Sequence, residues 1–192
     1  MPDYSFEQQA IYNGHKIICG IDEAGRGPWA GPVTAAAVVL DPALLTPELL
    51  GRLDDSKKIN VAKRLAIFEE IDDINILQAT FLAMRRAVEA LPIAVDYALV
   101  DGNKLPGLKC PVKAIVKGDG RSLSIATASI IAKVSRDIVM GELAQQFPGY
   151  GWERNAGYGT REHQAALSTL GVTSAHRKSY APIRKIWGQG MD

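Results

Sequence analysis

Cysteine is scarce in this chain: Cys19 and Cys110 are the only two in 192 residues. They stand at no spacing used by a zinc site or a disulfide framework. A zinc module and a disulfide-stapled secreted domain are thereby excluded, and both thiols are expected to stay reduced. Long apolar runs are lacking too. None is long enough to span a bilayer, and the opening MPDYSFEQQA has no basic leader ahead of an apolar segment. The expected setting is cytoplasmic, away from membranes. An excess of one charge is also missing. The formal net charge is +1, so a phosphate-rich partner has to meet a local basic patch and not a uniformly cationic surface. No internal repeat, linker or low-complexity tract interrupts the sequence.

What is present suits one globular domain with a sizeable core, since 47% of the residues are hydrophobic and 22% charged. Residues 1–150 are expected to form its main body and 151–192 a helical C-terminal region of the same domain. From residue 154 onward Arg154, Arg161, Arg177, Lys178, Arg184 and Lys185 outnumber Glu162 and Asp192. This makes the C-terminal region a candidate for phosphate contact, although a charged run is more often a solvated face.

Apolar runs at 16–21 and 34–40 read as strands, joined by a glycine-rich turn over 25–32 that favours an antiparallel pair. Asn60 is placed to cap a helix over 61–71. Leu77, Phe81, Met84, Val88 and Leu91 keep helical spacing in a second helix starting near Asn75. Strands follow over 97–100 and 112–116, then a long helix over about 123–147, on which Ile125, Ser129, Ala132, Arg136, Met140 and Leu143 share a spacing. Thr160 opens a last helix that runs to Leu170 and closes at Gly171. A strand pair followed by alternating strands and helices predicts an α/β sandwich with a mixed sheet.

Three of these strands run into carboxylates: Asp22 and Glu23, Asp101, and Asp119. Single acidic residues at strand ends usually begin turns. Three strands ending this way suggest four carboxylates converging on one spot. Such a cluster repels itself unless a hard divalent cation accepts its oxygens. Without histidine or thiolate, the donor set suits Mg2+ or Mn2+, and two such ions assist phosphodiester hydrolysis without a side-chain nucleophile. Ser129 has no histidine at a useful spacing and reads as a packing residue. Residues 118–122 lack the lysine and spacing of a phosphate-binding P-loop. His163 and His176 read as structural.

The local strings are more specific. IDEAGRGPWAGP at 21–32, DDSKK at 54–58, VDGN at 100–103, VKGD at 116–119, ASIIAKVSRD at 128–137, GYGT at 157–160 and HRKSY at 176–180 resemble, in family order, the motifs of type 2 ribonuclease H. The resemblance implies a ribonuclease H-like mixed sheet flanked by helices, and a two-metal site on Asp22, Glu23, Asp101 and Asp119. It implies that Gly25, Arg26 and Gly27 read the ribose 2′-hydroxyl through exposed backbone, and that Tyr158 stacks on the following deoxyribose. Lys57 is a candidate phosphate contact, with Lys58, Arg26, Lys117 and Lys133. Lys117 and Arg121 flank Asp119 and are the better placed by sequence. The implied substrates are RNA–DNA hybrids and duplex DNA with single embedded ribonucleotides, cut 5′ of the ribonucleotide to leave 3′-hydroxyl and 5′-phosphate ends by a monomeric enzyme.

The chain departs from the family pattern between the helix expected to end near Ile71 and the next. Only Asp72, Asp73 and Ile74 lie where family members carry a third antiparallel strand, so one edge strand is expected to be missing. Two other readings stay open on the sequence: a hybrid-binding protein with a misassembled site, and a different nuclease of the same fold that does not sense ribose. The intact carboxylates speak against the first, and Gly25-Arg26-Gly27 with Tyr158 against the second.

Overall fold

The computed structural model describes residues 1–41, 61–67 and 70–189, with the backbone alone for 61–67, 70 and 189. Helix α1 (Ser5–Tyr12) leads into β1 (Ile18–Ala24) and β2 (Val33–Val39). Then come β3 (Val61–Ile67), α2 (Glu70–Glu89), β4 (Tyr97–Asp101), β5 (Val112–Ile115), a 3-10 turn at Gly118–Gly120 and the long α3 (Leu123–Gln146). Three helices end the described chain: α4 (Trp152–Asn155), α5 (Arg161–Leu170) and α6 (Ala181–Gln189).

The strands form one five-stranded sheet in the order β3-β2-β1-β4-β5. β1 is antiparallel to β2 and parallel to β4; β2–β3 is antiparallel and β4–β5 parallel. The expected mixed α/β sheet is what forms. Parallel neighbours require both faces to be covered, and the period of two in β2 does this with small residues. Ala35 and Ala37 join Ala79, Ala83 and Ala87 of α2 in one buried cluster. Ala36 and Val38 join Ala128, Ile131 and Ala132 of α3 in another. Alanine against alanine lets both helices lie close to the sheet. At Gly20 the approach is closer still, because any Cβ there would run into the Ser124 backbone of α3.

The segment 61–67 is a strand, and the helix expected over 61–71 does not form. Its backbone pairs with the whole of β2, from Val33↔Ile67 to Val39↔Val61. An open β2 edge carries a row of unpaired amides and carbonyls, and satisfying them outweighs a local helical preference. The expected loss of an edge strand is corrected in the same way, since this segment fills the edge position. Asn60, the supposed cap, lies outside the described residues.

The helix expected from near Asn75 begins at Glu70 and is kinked at Asn75, whose φ is 67°. The Asn75 side chain accepts from the amides of Leu77 and Gln78, capping the stretch that continues to Glu89. Ser122 and Thr160 cap α3 and α5, accepting from Ile125 and His163. The C-terminal helices close a further cluster in which Trp152, Leu167, Ala175 and Ile183 pack on Met140 of α3 and on Ala30 of the glycine-rich loop.

Candidate active site

The register Ile21↔Val100 between β1 and β4 sets Asp22 and Asp101 side by side, one step beyond the last paired positions. Asp22 is 6% exposed and lies against the Ser129 hydroxyl of α3. Successive side chains leave a strand on opposite faces, so Glu23 turns the other way. It helps line a cleft of about 100 Å3 that also contains Arg26, Thr80, Phe81, Asp101 and Asn103. A larger cavity of about 680 Å3, lined by Val88, Leu91, Ile93 and Leu108 among others, contains none of the candidate metal-binding or substrate-contacting residues.

Asp101 accepts the Gly118 amide at 2.6 Å, which fastens the 3-10 turn carrying Asp119 to the end of β4. Lys117 takes a left-handed φ of 55° to make that turn. Asp119 itself is exposed. The structure therefore brings Asp22, Glu23 and Asp101 within mutual electrostatic reach and sets Asp119 on the adjoining turn. Among the described residues, no three His, Cys, Asp or Glu side chains are gathered closely enough to hold one ion.

Burial pushes the Asp22 carboxyl up to about 7, and the charges of Glu23 and Asp101 add to this against the Ser129 hydroxyl and Glu23 amide. Burial also raises Glu23, opposed by Arg26 and reinforced by Asp101. Arg26 Nη1 donates to Glu23 Oε1 at 3.2 Å, while Glu23 Oε2 is buried with no hydrogen-bond partner among the described residues. Two buried carboxyls held above the usual carboxylate range, one with an oxygen that has no hydrogen-bond partner among the described residues, fit a hard divalent cation.

The loop from Gly25 to Pro32 rests on two buried arginines. Arg136 of α3 donates to the carbonyls of Pro32 (3.0 Å), Ala156 (2.9 Å) and Ala30 (3.2 Å). Arg177 donates to the carbonyls of Gly31 (2.9 Å), Arg26 (3.0 Å), Pro28 (2.8 Å) and Gly25. Each is only 3% exposed. Gly25 has a φ of 92°, and a Cβ there would strike the Arg136 guanidinium.

Tyr158 is 50% exposed, and its ring edge is 3.4 Å from where a Cβ on Gly27 would stand. Its turn is fixed to the loop through Gly157, whose carbonyl accepts from the Trp29 amide at 2.8 Å. Behind the turn His163 and His176 meet through their Nε2 atoms at 3.0 Å. The Thr173 amide donates to His176 Nδ1, which leaves the His176 proton on Nε2, pointing at His163. Trp152 donates to the same His163 nitrogen, so the His163 proton sits on Nδ1 and is given to the Tyr158 carbonyl at 2.9 Å. Both histidines are internal, in keeping with a structural role.

Of the other sequence-predicted residues, Lys57 and the rest of the DDSKK string lie outside the described residues. Lys133 is paired with Asp137 at 2.6 Å. Arg154 forms ion pairs with Glu153 and Glu162. Arg177, grouped with the C-terminal cations as a phosphate candidate, is withdrawn into the interior. Sequence reasoning missed the parts played by Arg136, Arg177 and Ser129. The only signal for Arg136 was an arginine on the otherwise apolar, small-residue face of a long helix.

The sequence pattern described as Ribonuclease HII matches residues 19–76 and 69–183. The chain belongs to the ribonuclease HII family. Residues 69–76 answer to both stretches of the pattern, in the region where the sequence is shorter than expected. The chain is 57% identical over 203 residues to ribonuclease HII of Rhodospirillum rubrum, covering 96% of this chain and 91% of the relative. It is 56% identical over 199 residues to that of Paramagnetospirillum magneticum, covering 95% and 97%. Among solved structures, the ribonuclease H2 of Pyrococcus horikoshii superposes with a TM-score of 0.73 at 25% identity, over 91% of this chain and 98% of that one. The ribonuclease HIII fold, solved in a complex with Mn2+, superposes with a TM-score of 0.65 at 17% identity, over 95% and 72%.

Proposed function

We propose that this chain hydrolyses the phosphodiester 5′ of a ribonucleotide, in RNA–DNA hybrids and at single ribonucleotides within duplex DNA, leaving 3′-hydroxyl and 5′-phosphate ends. Membership of the ribonuclease HII family makes it a ribonuclease H-type endoribonuclease. The observation that carries the finer reading is the placement of Asp22 and Asp101 side by side, flanked by the Gly25-Arg26-Gly27 loop with Tyr158 over it.

Asp22, Glu23, Asp101 and Asp119 would hold Mg2+ or Mn2+, which supplies charge neutralisation at the scissile phosphate and activation of water. The protein's part is to bind and orient. Gly25, Arg26 and Gly27 present main-chain groups to the ribose without a side chain in the way. Tyr158 offers a ring face to the neighbouring deoxyribose, a test of shape needing no hydrogen bond. Arg26 holds Glu23 at the cleft. The Gly118 amide fixes one Asp101 oxygen.

The test is cleavage of a duplex carrying one ribonucleotide, with Mg2+ or Mn2+, by the wild type and Asp101→Asn. A single cut 5′ of the ribonucleotide is expected, and the variant should lose on the order of a hundredfold or more in rate. A variant that cuts at the wild-type rate would remove Asp101 from the chemistry. Cleavage of the matching all-DNA duplex at the same rate would remove the ribose requirement.

A further inference from the structure

Arg136 and Arg177 stand out as buried cations whose polar partners are almost all main-chain carbonyls. Apart from those, among the described residues Arg136 reaches only the Met140 sulfur and Arg177 only the Tyr180 hydroxyl. A lysine offers one compact charge, whereas a guanidinium offers a planar fork of donors that satisfies several carbonyls at once. Between them the two forks take the carbonyls of Gly25, Arg26, Pro28, Ala30, Gly31 and Pro32. A loop whose carbonyls turn toward buried cations has its amides left for something else. The Arg26 and Gly27 amides have no backbone partner among the described residues.

Arg136 does a second thing. Its Nη1 reaches the Ala156 carbonyl, at the start of the Tyr158 turn, while Nε and Nη2 hold Pro32 and Ala30. One side chain thus spans the two elements that face the substrate. The fit is tight on both sides: a Cβ at Gly25 would meet its guanidinium, and one at Gly157 would meet the Ala30 carbonyl. The Trp29 amide on Gly157 completes the connection. Loop, guanidinium and turn form one body, in which moving Arg136 moves both sides of the gap.

We infer that Arg136 and Arg177 are positioning residues for ribose discrimination. They direct the loop's carbonyls inward, leave the Arg26 and Gly27 amides to the substrate, and set the separation between that loop and Tyr158. The inference rests on the ribonuclease reading above and says which buried groups give it selectivity.

The test uses the full chain and two duplexes identical except for one ribonucleotide, with binding measured in chelator so that nothing is cut, and cleavage then measured with Mn2+. Wild type should prefer the ribonucleotide duplex. Arg136→Lys and Arg177→Lys should lose about tenfold of that preference while binding the all-DNA duplex as before, with KM rising more than kcat falls. Added guanidinium ion should restore the preference in Arg136→Ala. Folded lysine variants that keep the full preference would overturn the inference alone. Variants that unfold, with no recovery of preference in guanidinium, would overturn it as well by reducing both arginines to supports of the fold. A wild type that cuts neither duplex and prefers neither overturns the ribonuclease reading itself, and this inference falls with it.

Discussion

His163 and His176 share a hydrogen bond that tolerates one proton arrangement. His176 gives its Nε2 proton to His163, and His163 gives its Nδ1 proton to the Tyr158 carbonyl. Adding a proton to either ring forces two N–H groups to face each other in a buried place. Burial accordingly depresses His163, and depresses His176 from 6.5 to about 4, with the His163 ring adding to the effect. Between about pH 6.5 and 4 the unfolded chain takes up a proton at His176 that the folded chain refuses, so His176 lowers stability as pH falls through that window, while Asp22, raised to about 7, works in the opposite direction over much of the same range. The His176 contribution should be level above and below that window. That contribution should be on the order of 2 kcal/mol, read as the change in urea midpoint between pH 7.5 and pH 4 in wild type less the same change in His176→Phe. His176→Phe should gain stability relative to wild type as pH falls, and an identical pH dependence in the two would mean that other groups set it.

At the scale of the element, β3 is the instructive case. Residues 61–67 follow a good capping residue and carry spacing that reads as helix, yet they pair along β2. The backbone amides of 33–39 that point toward β3 should exchange slowly with deuterium, within reach of the protection of the β1–β2 ladder. Fast exchange on that side alone would mean that the edge is open in solution. β1, β2 and β4 were legible because their apolar runs are buried on both faces, and α3 was legible because Ile125, Ser129, Ala132, Arg136, Met140 and Leu143 keep a long helical spacing. The boundaries of β1 were misplaced by a few residues because Asp22 and Glu23 look like a turn in the sequence, whereas pairing with Ala36 and Ala35 keeps them in the strand. That pairing is why the two carboxylates face opposite sides of the sheet. The role of Arg136 was hidden for a related reason. Its partners lie more than a hundred residues earlier in the loop and twenty later at Ala156, and no local pattern announces them.

At the scale of the whole molecule, the chain's late segments return to build its early ones. The Ala30↔His176 bridge and the Arg177 contacts bring the HRKSY string under the glycine-rich loop. Asp72, at the head of α2, holds that string from the other side by accepting the amides of Lys178 and Ser179, each at 2.9 Å, and the Ser179 hydroxyl at 2.7 Å. Asp72→Ala should cost about 1–2 kcal/mol and make the chain around 174–180 more sensitive to limited proteolysis. It should also weaken ribonucleotide cleavage, although residue 72 touches no candidate substrate group. Unaltered proteolysis would show that Arg177 and Tyr180 hold the string without it.

The strand order β3-β2-β1-β4-β5 has an architectural consequence. All the candidate carboxylates sit on β1, on β4 or on the turn after β5, so β2 stands as a full partition between them and β3. Chain length can be gained or lost on the far side of that partition as a room is altered behind a party wall. Surgery there is expected to register in how firmly the sheet holds together well before it registers in the chemistry next door.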